Sequence, residues 1–200
     1  MNSYAPAIEK LIKAFARFPS VGEKTATRMA SHVISASREE AAHLARCLLD
    51  VKDEIRFCSE CFNLAQGDLC EVCKNKEQRD VTTICVVEDP DSLVSIEESA
   101  AYKGLYHVLH GAISPLDGIG PDNIRISELL QRVAKGGVSE IIIATNPTVA
   151  GEATALLITN LLGNNGVKIS RLALGIPLGA DIRYSDRMTI GKSLEFRRKV

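Results

Sequence analysis

Cys58-Ser-Glu-Cys61 and Cys70-Glu-Val-Cys73 form two Cys-x2-Cys knuckles with eight residues between them. The hydrophobic periodicity of the sequence differs before and after this stretch. Four thiolates at about 2.3 Å satisfy a tetrahedral zinc ion, and each tight turn presents two of them. Two disulfides or four free thiols are the alternatives, but a cytoplasmic protein rarely keeps disulfides. Because protein ligands fill all four positions, the spacing predicts one structural zinc ion per chain, held in a compact knob.

Two further cysteines lie outside the knuckles. Cys47 falls in a helical pattern and Cys85 in a strand pattern. Free cysteine is among the residue types most often buried, so we predict that both are small buried hydrophobic residues and not metal ligands.

The composition restricts the classes of function. The chain has 200 residues with a net charge of −1, 46% hydrophobic and 24% charged residues, which is ordinary for a soluble globular protein. No apolar run approaches the roughly 20 residues that span a bilayer, and the start of the chain shows no secretory signal, so we expect a cytoplasmic protein with no membrane partner. The charge excludes a generally polycationic nucleic-acid binder, so any DNA contact must come from a local basic cluster. Scarce aromatic residues argue against a stacking platform for single-stranded DNA.

The end of the sequence is strongly basic. Between residues 183 and 200, six basic residues stand against two acidic ones. A solvated, mobile end and a phosphate-facing segment are both compatible with this pattern. The basic residues are Arg183, Arg187, Lys192, Arg197, Arg198 and Lys199.

Hydrophobic periodicity changes along the chain and predicts a multi-domain α+β protein. Before about residue 57, apolar side chains recur at helical spacing in two runs. From about residue 80, short β-branched runs alternate with helical ones, which predicts a parallel sheet with covering helices. We expect strands at Thr83–Glu88, Tyr106–His110, Glu140–Ala144 and Lys168–Ala173, and helices near Asp91–Ala101, Ile126–Ala134 and Gly151–Leu162.

The segment Phe18–Arg28 joins the first two helical runs. Pro19 ends the first helix, because the residue before proline avoids helical geometry. Gly22 permits a tight turn whose backbone can approach a phosphate closely. The next helix begins near Glu23, so its free N–H groups and the positive end of its dipole point at the same place.

Basic side chains add to this hairpin. Lys24 and Arg28 are four residues apart and share one face of the second helix, so the segment predicts a phosphate cradle that reads no bases. An ordinary helical packing element is the alternative. The segment resembles the helix-hairpin-helix family, whose hairpin usually reads Pro-Gly-aliphatic-Gly followed by Lys-Thr-Ala. Ser20 stands where the first hairpin glycine is usual, and it would cost about 1 kcal/mol or more if that position needs a positive φ. The resemblance implies DNA contact through Gly22, Lys24, Thr25 and Arg28.

The α/β stretch resembles the Toprim domain of type IA topoisomerases and bacterial primases. In that family a Glu ends the first strand and an Asp-x-Asp motif ends a later one, and these acids bind Mg²⁺. Here Ile84-Cys85-Val86-Val87-Glu88 supplies the first strand and its Glu, but Asn146 and Thr148 stand where the Asp pair is expected. Mg²⁺ requires oxygen ligands, usually with one or two carboxylates. The loss therefore predicts a scaffold or docking surface and not an enzyme.

A residual Mg²⁺ site remains open as an alternative. Glu88, Asp89 and Glu152 would have to hold the ion without the missing Asp pair. Under this alternative the chain would be a small Toprim nuclease or primase. A third possibility, a zinc-stabilised module that binds proteins and not DNA, would leave Lys24 and Arg28 as a solvated face.

The order of these parts is similar to the RecR family of recombination mediators over essentially the full chain, and residues 109–121 and 144–148 carry much of the likeness. The resemblance implies a ring-like tetramer that admits duplex DNA, with Lys24 and Arg28 facing inward. It also implies work with RecO, and in many bacteria RecF, to load RecA onto gapped DNA coated by single-strand-binding protein, in a nucleoid-associated cytoplasmic protein. Glu88 and Asp89 are the candidate residues for RecO docking. The expected domains are a helix-hairpin-helix domain at 1–56, a four-cysteine zinc finger at 57–78, a Toprim domain at 79–175 and a C-terminal segment at 176–200.

Overall fold

The structure is a computed structural model that describes residues 4–163 and 165–198. Lys199 of the basic end therefore lies outside the described residues. The chain divides into two compact units, one ending at Ile55 and the other beginning at Arg56. Helices fill the first unit and a parallel sheet dominates the second, which confirms the multi-domain α+β prediction.

Three helices form the first unit: α1 (Pro6–Phe15), α2 (Glu23–Ser35) and α3 (Arg38–Glu54). Proline opens α1, where its missing N–H costs nothing. A capping box opens α3, because the Ser37 hydroxyl accepts from the Glu40 N–H at 3.1 Å and the Glu40 carboxylate accepts from the Ser37 N–H at 2.9 Å. The small core of the unit lies between α1 and α2, where Ile12, Ala26 and Ala30 are buried.

The third helix leaves its apolar residues in solvent. Within the described chain α3 contributes no buried residue, and Leu44, Leu48, Leu49 and Val51 are exposed. The prediction that Cys47 is buried was wrong. Its thiol is exposed and lies 3.7 Å from Nε2 of His43, one turn earlier. The pattern predicted the helix correctly, but none of the α3 residues is buried in the described chain.

A small cysteine-bearing subdomain follows α3 along the chain. It contains β1 (Ile55–Phe57) and β2 (Leu64–Gln66), which form a two-stranded sheet, and the single-turn helix α4 (Glu71–Lys74). The four knuckle cysteines and Ala65 form its core. We call residues Cys58–Cys73 the cysteine finger.

Four parallel strands form the main sheet, in the order β4-β3-β5-β6. Helices α5 (Pro90–Glu98), α6 (Ile126–Ala134) and α7 (Val149–Leu162) connect them, as the alternating pattern predicted. The central strands are apolar on both faces because both faces are buried. Cys85 is buried in this sheet, as predicted, and burial raises the pKa of its thiol to about 12. The strands are β3 (Asp80–Val87), β4 (Gly104–Val108), β5 (Glu140–Ala144) and β6 (Lys168–Arg171).

Strand β4 ends earlier than the apolar run suggested. The run predicted a strand to His110, but His110 adopts φ +58° and Gly111 adopts φ +145°, and neither conformation continues a strand. Backbone geometry after Val108 therefore turns the chain away from the sheet.

The outer edge of β4 is covered within the same unit. The Gly104 carbonyl accepts from Nε of Arg79 at 2.8 Å, and the Tyr106 carbonyl accepts from Nη1 of Arg132 at 2.5 Å. The Val108 N–H donates to the Cys61 carbonyl at 2.8 Å. An open strand edge is a template for pairing with other chains, so these contacts protect it.

The chain ends in a loop-rich segment with one helix, α8 (Arg187–Glu195). Asp186 caps it by accepting from the Thr189 N–H at 2.9 Å. No residue of α8 is buried, and Leu178, Tyr184 and Met188 are largely exposed. Among the described residues, no helix combines the length and the apolar character that crossing a bilayer requires.

Candidate functional sites: a metal centre, a hairpin and an acidic edge

The four knuckle cysteines converge on one point. The Sγ atoms of Cys58, Cys61, Cys70 and Cys73 all lie within 4.8 Å of one another. All four side chains are buried. Thiolates are soft ligands that select zinc, and four of them in a closed set leave no position for water. The arrangement therefore fits one structural zinc ion, as the spacing predicted.

Local backbone turns aim these thiols inward. The Phe62 N–H donates to the Cys58 carbonyl at 3.0 Å and the Cys58 N–H to the Asn63 carbonyl at 2.8 Å, which closes the first knuckle. Phe62 takes φ +65°, the left-handed conformation that completes this turn. Cys70 precedes α4, and the first turn of that helix carries Cys73 next to it.

Two of the four thiols lie within hydrogen-bond distance of each other. Sγ of Cys61 lies 3.4 Å from Sγ of Cys70. This contact lowers the pKa of Cys70 and raises the pKa of Cys61. A buried thiolate needs a positive partner, and a bound zinc ion supplies that charge together with folding energy.

In the hairpin between α1 and α2, one residue has an unfavourable backbone conformation. Ser20 adopts φ +62°, the left-handed conformation that glycine tolerates best. Gly22 instead adopts φ −78° and ψ +167°, which any residue can take. The expectation that Gly22 makes the tight turn was therefore wrong, because Ser20 carries the positive φ. No atom of the described chain lies within 4 Å of the Cβ that a substitution at Gly22 would add.

The start of α2 is open to solvent. The helix begins at Glu23, as predicted, and Gly22 has no side chain to cap its first N–H groups. Lys24, Thr25 and Arg28 are all exposed. Among the described residues, neither Lys24 nor Arg28 forms a salt bridge. Both cations are thus free to meet an external anion beside a helix N-terminus.

The third site is the acidic edge, by which we mean Glu88 and Asp89 together with Asn146. Glu88 follows β3, and its Oε1 accepts from the Asn146 backbone N–H at 2.8 Å while its Oε2 accepts from Nδ2 of Asn146 at 2.7 Å. Asp89 caps α5, because its carboxylate accepts from the Ser92 N–H at 2.7 Å. Both carboxylates therefore have partners inside the fold.

A close approach at Gly151 secures this edge. A Cβ at Gly151 would overlap the Asn146 carbonyl oxygen and would lie 2.8 Å from Oε1 of Glu88. The Gly151 N–H donates to the Thr148 hydroxyl at 3.1 Å, and its carbonyl accepts from the Thr145 hydroxyl at 3.0 Å. Only glycine fits here, because the turn after β5 and the start of α7 touch at this residue.

The third acid of the suggested Mg²⁺ site has its own partner. Oε2 of Glu152 lies 2.6 Å from Nη1 of Arg171, and the guanidinium lowers the pKa of this carboxyl group. Within the described chain, the four cysteines form the only group of three or more His, Cys, Asp or Glu side chains close enough to share an ion. Glu88, Asp89 and Glu152 are not brought together in such a group.

Sequence reasoning missed the partners of two of these residues. The sequence pattern at Asn146 indicates the loss of a carboxylate, but an amide in that position is also a donor for a neighbouring carboxylate. The helical pattern that includes Gly151 indicates no special role for this glycine. The Asn that replaces Asp, together with the retained Glu88, is the signal that could have indicated the bond between Asn146 and Glu88. Nothing in the sequence indicates the close approach at Gly151.

Comparison with known proteins covers nearly the whole chain. Family models match for the RecR helix-hairpin-helix at residues 8–52, the RecR four-cysteine zinc finger domain at 55–75, the Toprim domain at 82–173 and the RecR C-terminal region at 175–198. The protein named Recombination protein RecR of Streptomyces avermitilis is 46% identical over 195 residues, which cover 98% of each chain. The protein of the same name from Acidothermus cellulolyticus is 47% identical over 197 residues, again 98% of each chain. On this agreement of all four regions and of the full length, the chain belongs to the RecR family of recombination proteins.

Proposed function

We propose that this protein is a non-enzymatic mediator of recombination and DNA repair, which binds duplex or gapped DNA without sequence preference as a ring-like oligomer. The observation that carries the proposal is the hairpin, where free Lys24 and Arg28 stand beside the uncapped start of α2. Such a site attracts phosphates and reads no bases. Four copies of a small basic patch around one duplex add their attractions while each chain stays near neutral.

Self-association is the second part of the proposal. The apolar residues of α3, Leu44, Leu48, Leu49 and Val51, are exposed in the single chain. Apolar patches of this kind mark interaction surfaces, and soluble oligomers are mostly symmetric assemblies of identical chains. We expect a tetramer in sedimentation analysis, and smaller species when Leu48 is changed to Asp. A matched Lys52→Asp variant, changed on the same helix at an exposed polar position, should keep the tetramer.

Partner proteins form the third part. We propose that RecO, and RecF where present, dock on this protein so that RecA is loaded onto gapped DNA coated by single-strand-binding protein, in the nucleoid. Glu88 and Asp89 are the positions we propose for RecO contact. Glu88→Gln and Asp89→Asn should weaken RecO binding, whereas the nearby exposed Asp91→Asn should not. Melting curves of all three must accompany the binding data, because Glu88 and Asp89 also hold internal hydrogen bonds.

The non-enzymatic character is supported by the occupied carboxylates of the acidic edge. The Glu88 carboxylate accepts a hydrogen bond from Asn146, and the Glu152 carboxylate accepts one from Arg171. Binding of Mg²⁺ by either carboxylate would have to compete with these contacts. We expect no DNA cleavage or synthesis with Mg²⁺ present. Activity that appears with Mg²⁺ and disappears in Glu88→Gln would instead establish a Toprim enzyme.

The deciding experiment is duplex DNA binding over a salt series, in chelator and in Mg²⁺. Lys24→Ala with Arg28→Ala should weaken binding for every sequence and flatten the salt dependence, because two phosphate contacts are lost. Arg46→Ala with Lys52→Ala is the matched control, since it removes the same charge from α3 of the same unit and should bind as wild type. Equal losses in both double variants would mean that only net charge matters. Absence of binding by the wild type would favour the protein-interaction module.

A further inference from the structure

The cysteine finger touches the main sheet through the backbone of a metal-ligand turn. The carbonyl of the ligand Cys61 accepts from the Val108 N–H at 2.8 Å, and the carbonyl of the next residue, Phe62, accepts from Nε2 of His110 at 2.6 Å. A zinc ion fixes the conformation of the knuckle that carries it. Two consecutive carbonyls of that knuckle therefore hold the end of β4.

His110 is in a conformation that needs such support. Its φ of +58° lies in the left-handed region, which is unfavourable for a non-glycine residue. Since a carbonyl can only accept, Nε2 of His110 carries the proton in the bond to Phe62. The imidazole also lies against the Phe57 ring, with the two centroids 4.1 Å apart. These two contacts compensate the unfavourable backbone conformation.

The residue after His110 reaches the acidic edge. The Gly111 N–H donates to the Glu88 carbonyl at 2.9 Å, and the Leu109 N–H donates to the Val87 carbonyl at 2.9 Å. The Glu88 carboxylate in turn accepts from the backbone N–H and from the side-chain Nδ2 of Asn146. His110 thus stands between the metal-ligand turn on one side and the acidic edge on the other.

We infer that zinc occupancy of the cysteine finger sets the conformation of the acidic edge, with His110 as the positioning residue that connects them. The zinc ion orders the Cys61–Phe62 turn, that turn holds His110 in its left-handed conformation, and this conformation directs the Gly111 N–H to Glu88. Loss of zinc releases His110 and loosens the contact of Glu88 with Asn146. Neither bound DNA nor a partner protein is needed for this effect of zinc.

The test is amide hydrogen exchange, resolved by residue, on the full chain loaded with zinc and after removal of zinc by a chelator. The reporters are the amides of Val108, Gly111 and Asn146, with Ile143 in the sheet core as the internal reference. We expect each reporter to exchange about fivefold faster without zinc, since one hydrogen bond contributes about 1 kcal/mol, while Ile143 changes little. Unchanged exchange at Gly111 and Asn146 would overturn the inference.

Substitutions at His110 test the connection with zinc still bound. His110→Ala should keep one zinc per chain in a metal assay and still speed exchange at Gly111 and Asn146. His110→Gln should restore part of the protection, because its amide can donate to the Phe62 carbonyl, whereas His110→Gly relieves the backbone strain without restoring that bond. If His110→Ala exchanges as the wild type, or if His110→Gly protects as well as His110→Gln, the inference is wrong. Should chelation unfold the whole unit, so that Ile143 also exchanges fast, this zinc-loaded series decides alone.

Discussion

Glu88 and Asn146 are 58 residues apart in sequence, yet the Glu88 carboxylate accepts both the backbone and the side-chain N–H groups of Asn146, at 2.8 and 2.7 Å. Glu88 comes directly after β3, and Asn146 lies two residues after the end of β5. The pair therefore joins the ends of two neighbouring strands. An amide donor here satisfies the charge that a second carboxylate would repel. Within the acidic edge, the Glu88 carboxylate therefore has hydrogen-bond donors on both of its oxygen atoms.

Asn146→Asp should disrupt this pair. Two carboxylates would then face each other at hydrogen-bond distance, and we expect a loss of about 1 kcal/mol in the free energy of unfolding in chelator, since the site is exposed. Millimolar Mg²⁺ should recover part of the loss, because the cation binds carboxylate pairs. Chemical denaturation with and without Mg²⁺ measures both effects. Asn146→Ala, which adds no charge, should be insensitive to Mg²⁺, and an Asn146→Asp variant as stable as wild type in chelator would contradict the prediction.

Gly151→Ala should be strongly destabilising. The new Cβ would overlap the Asn146 carbonyl oxygen, so backbone must move, and overpacking of this kind costs about 1–3 kcal/mol. Gly191→Ala is the control, because Gly191 lies in α8 and its Cβ would meet nothing within 4 Å. There the higher helix propensity of Ala should leave stability equal or raise it by up to about 1 kcal/mol. Gly151→Ala should therefore melt at a lower temperature than the wild type and Gly191→Ala should not, and similar shifts would refute the close approach at Gly151.

Ser20→Gly should stabilise the hairpin. Relief of the positive φ at Ser20 is worth about 1 kcal/mol, and part of it is lost to the greater freedom of glycine in the unfolded chain. We expect a small rise in the free energy of unfolding with DNA affinity unchanged or improved. A fall in stability would show that the Ser20 side chain contributes more than its backbone costs.

Gly22→Ala should separate stability from binding. Its φ of −78° suits alanine, and the Cβ has open space within the described chain, so melting should be unaffected. If a phosphate approaches this backbone, the methyl group will obstruct it and duplex affinity will fall several-fold. Wild-type affinity in this variant would place the phosphate elsewhere on the hairpin.

The buried imidazole of His107 should make the protein less stable in weak acid. Its Nε2–H donates to the Arg125 carbonyl at 2.7 Å, and Nδ1 is buried without a partner among the described residues. Burial, partly offset by that carbonyl, lowers the pKa of His107 from 6.5 to about 4. The unfolded chain therefore takes up the proton first as the pH falls. Stability is complete above about pH 6.5 and declines towards pH 4, by at most about 3 kcal/mol.

Urea denaturation at several pH values measures whether the free energy of unfolding falls as the pH is lowered. His107→Gln should flatten the decline between pH 6.5 and 4, because glutamine does not titrate. His32→Gln, at an exposed histidine of α2, should leave the slope as in wild type. Loss of zinc in acid affects all three proteins alike, so the difference in slope reports His107. Parallel curves for wild type and His107→Gln would count against a buried neutral imidazole.

Cys58→Ser should abolish zinc binding and lower stability markedly. One of four ligands is lost, and the binding energy of a structural zinc ion is also folding energy. Metal analysis and thermal melting measure the two effects together. Cys47→Ser, at an exposed thiol outside the cluster, should leave both unchanged. A Cys58→Ser protein that melts as the wild type would mean that the cysteine finger holds no structural metal.

The zinc ligands and the alternation of strands and helices could be predicted from the sequence because both depend on local spacing. Cys58 and Cys61 belong to one turn and Cys70 and Cys73 to another, so their types and intervals were enough to indicate a tetrahedral site. Runs such as Ile84–Val87 are apolar without interruption because a parallel sheet buries both of their faces. The absence of an Asp at positions 146 and 148 was equally visible in the sequence.

Tertiary structure alone decided which groups meet across long sequence distances. The helical period of α3 predicted its conformation correctly, but burial of Cys47 depends on a neighbour that a single chain does not supply. The partners of Glu88, the close approach of Gly151 to Glu88 and the bond from His110 to Phe62 join residues 48 to 63 positions apart. Periodicity contains no information on such pairs, because they follow from how the strands order in the sheet and where the cysteine finger packs against its edge.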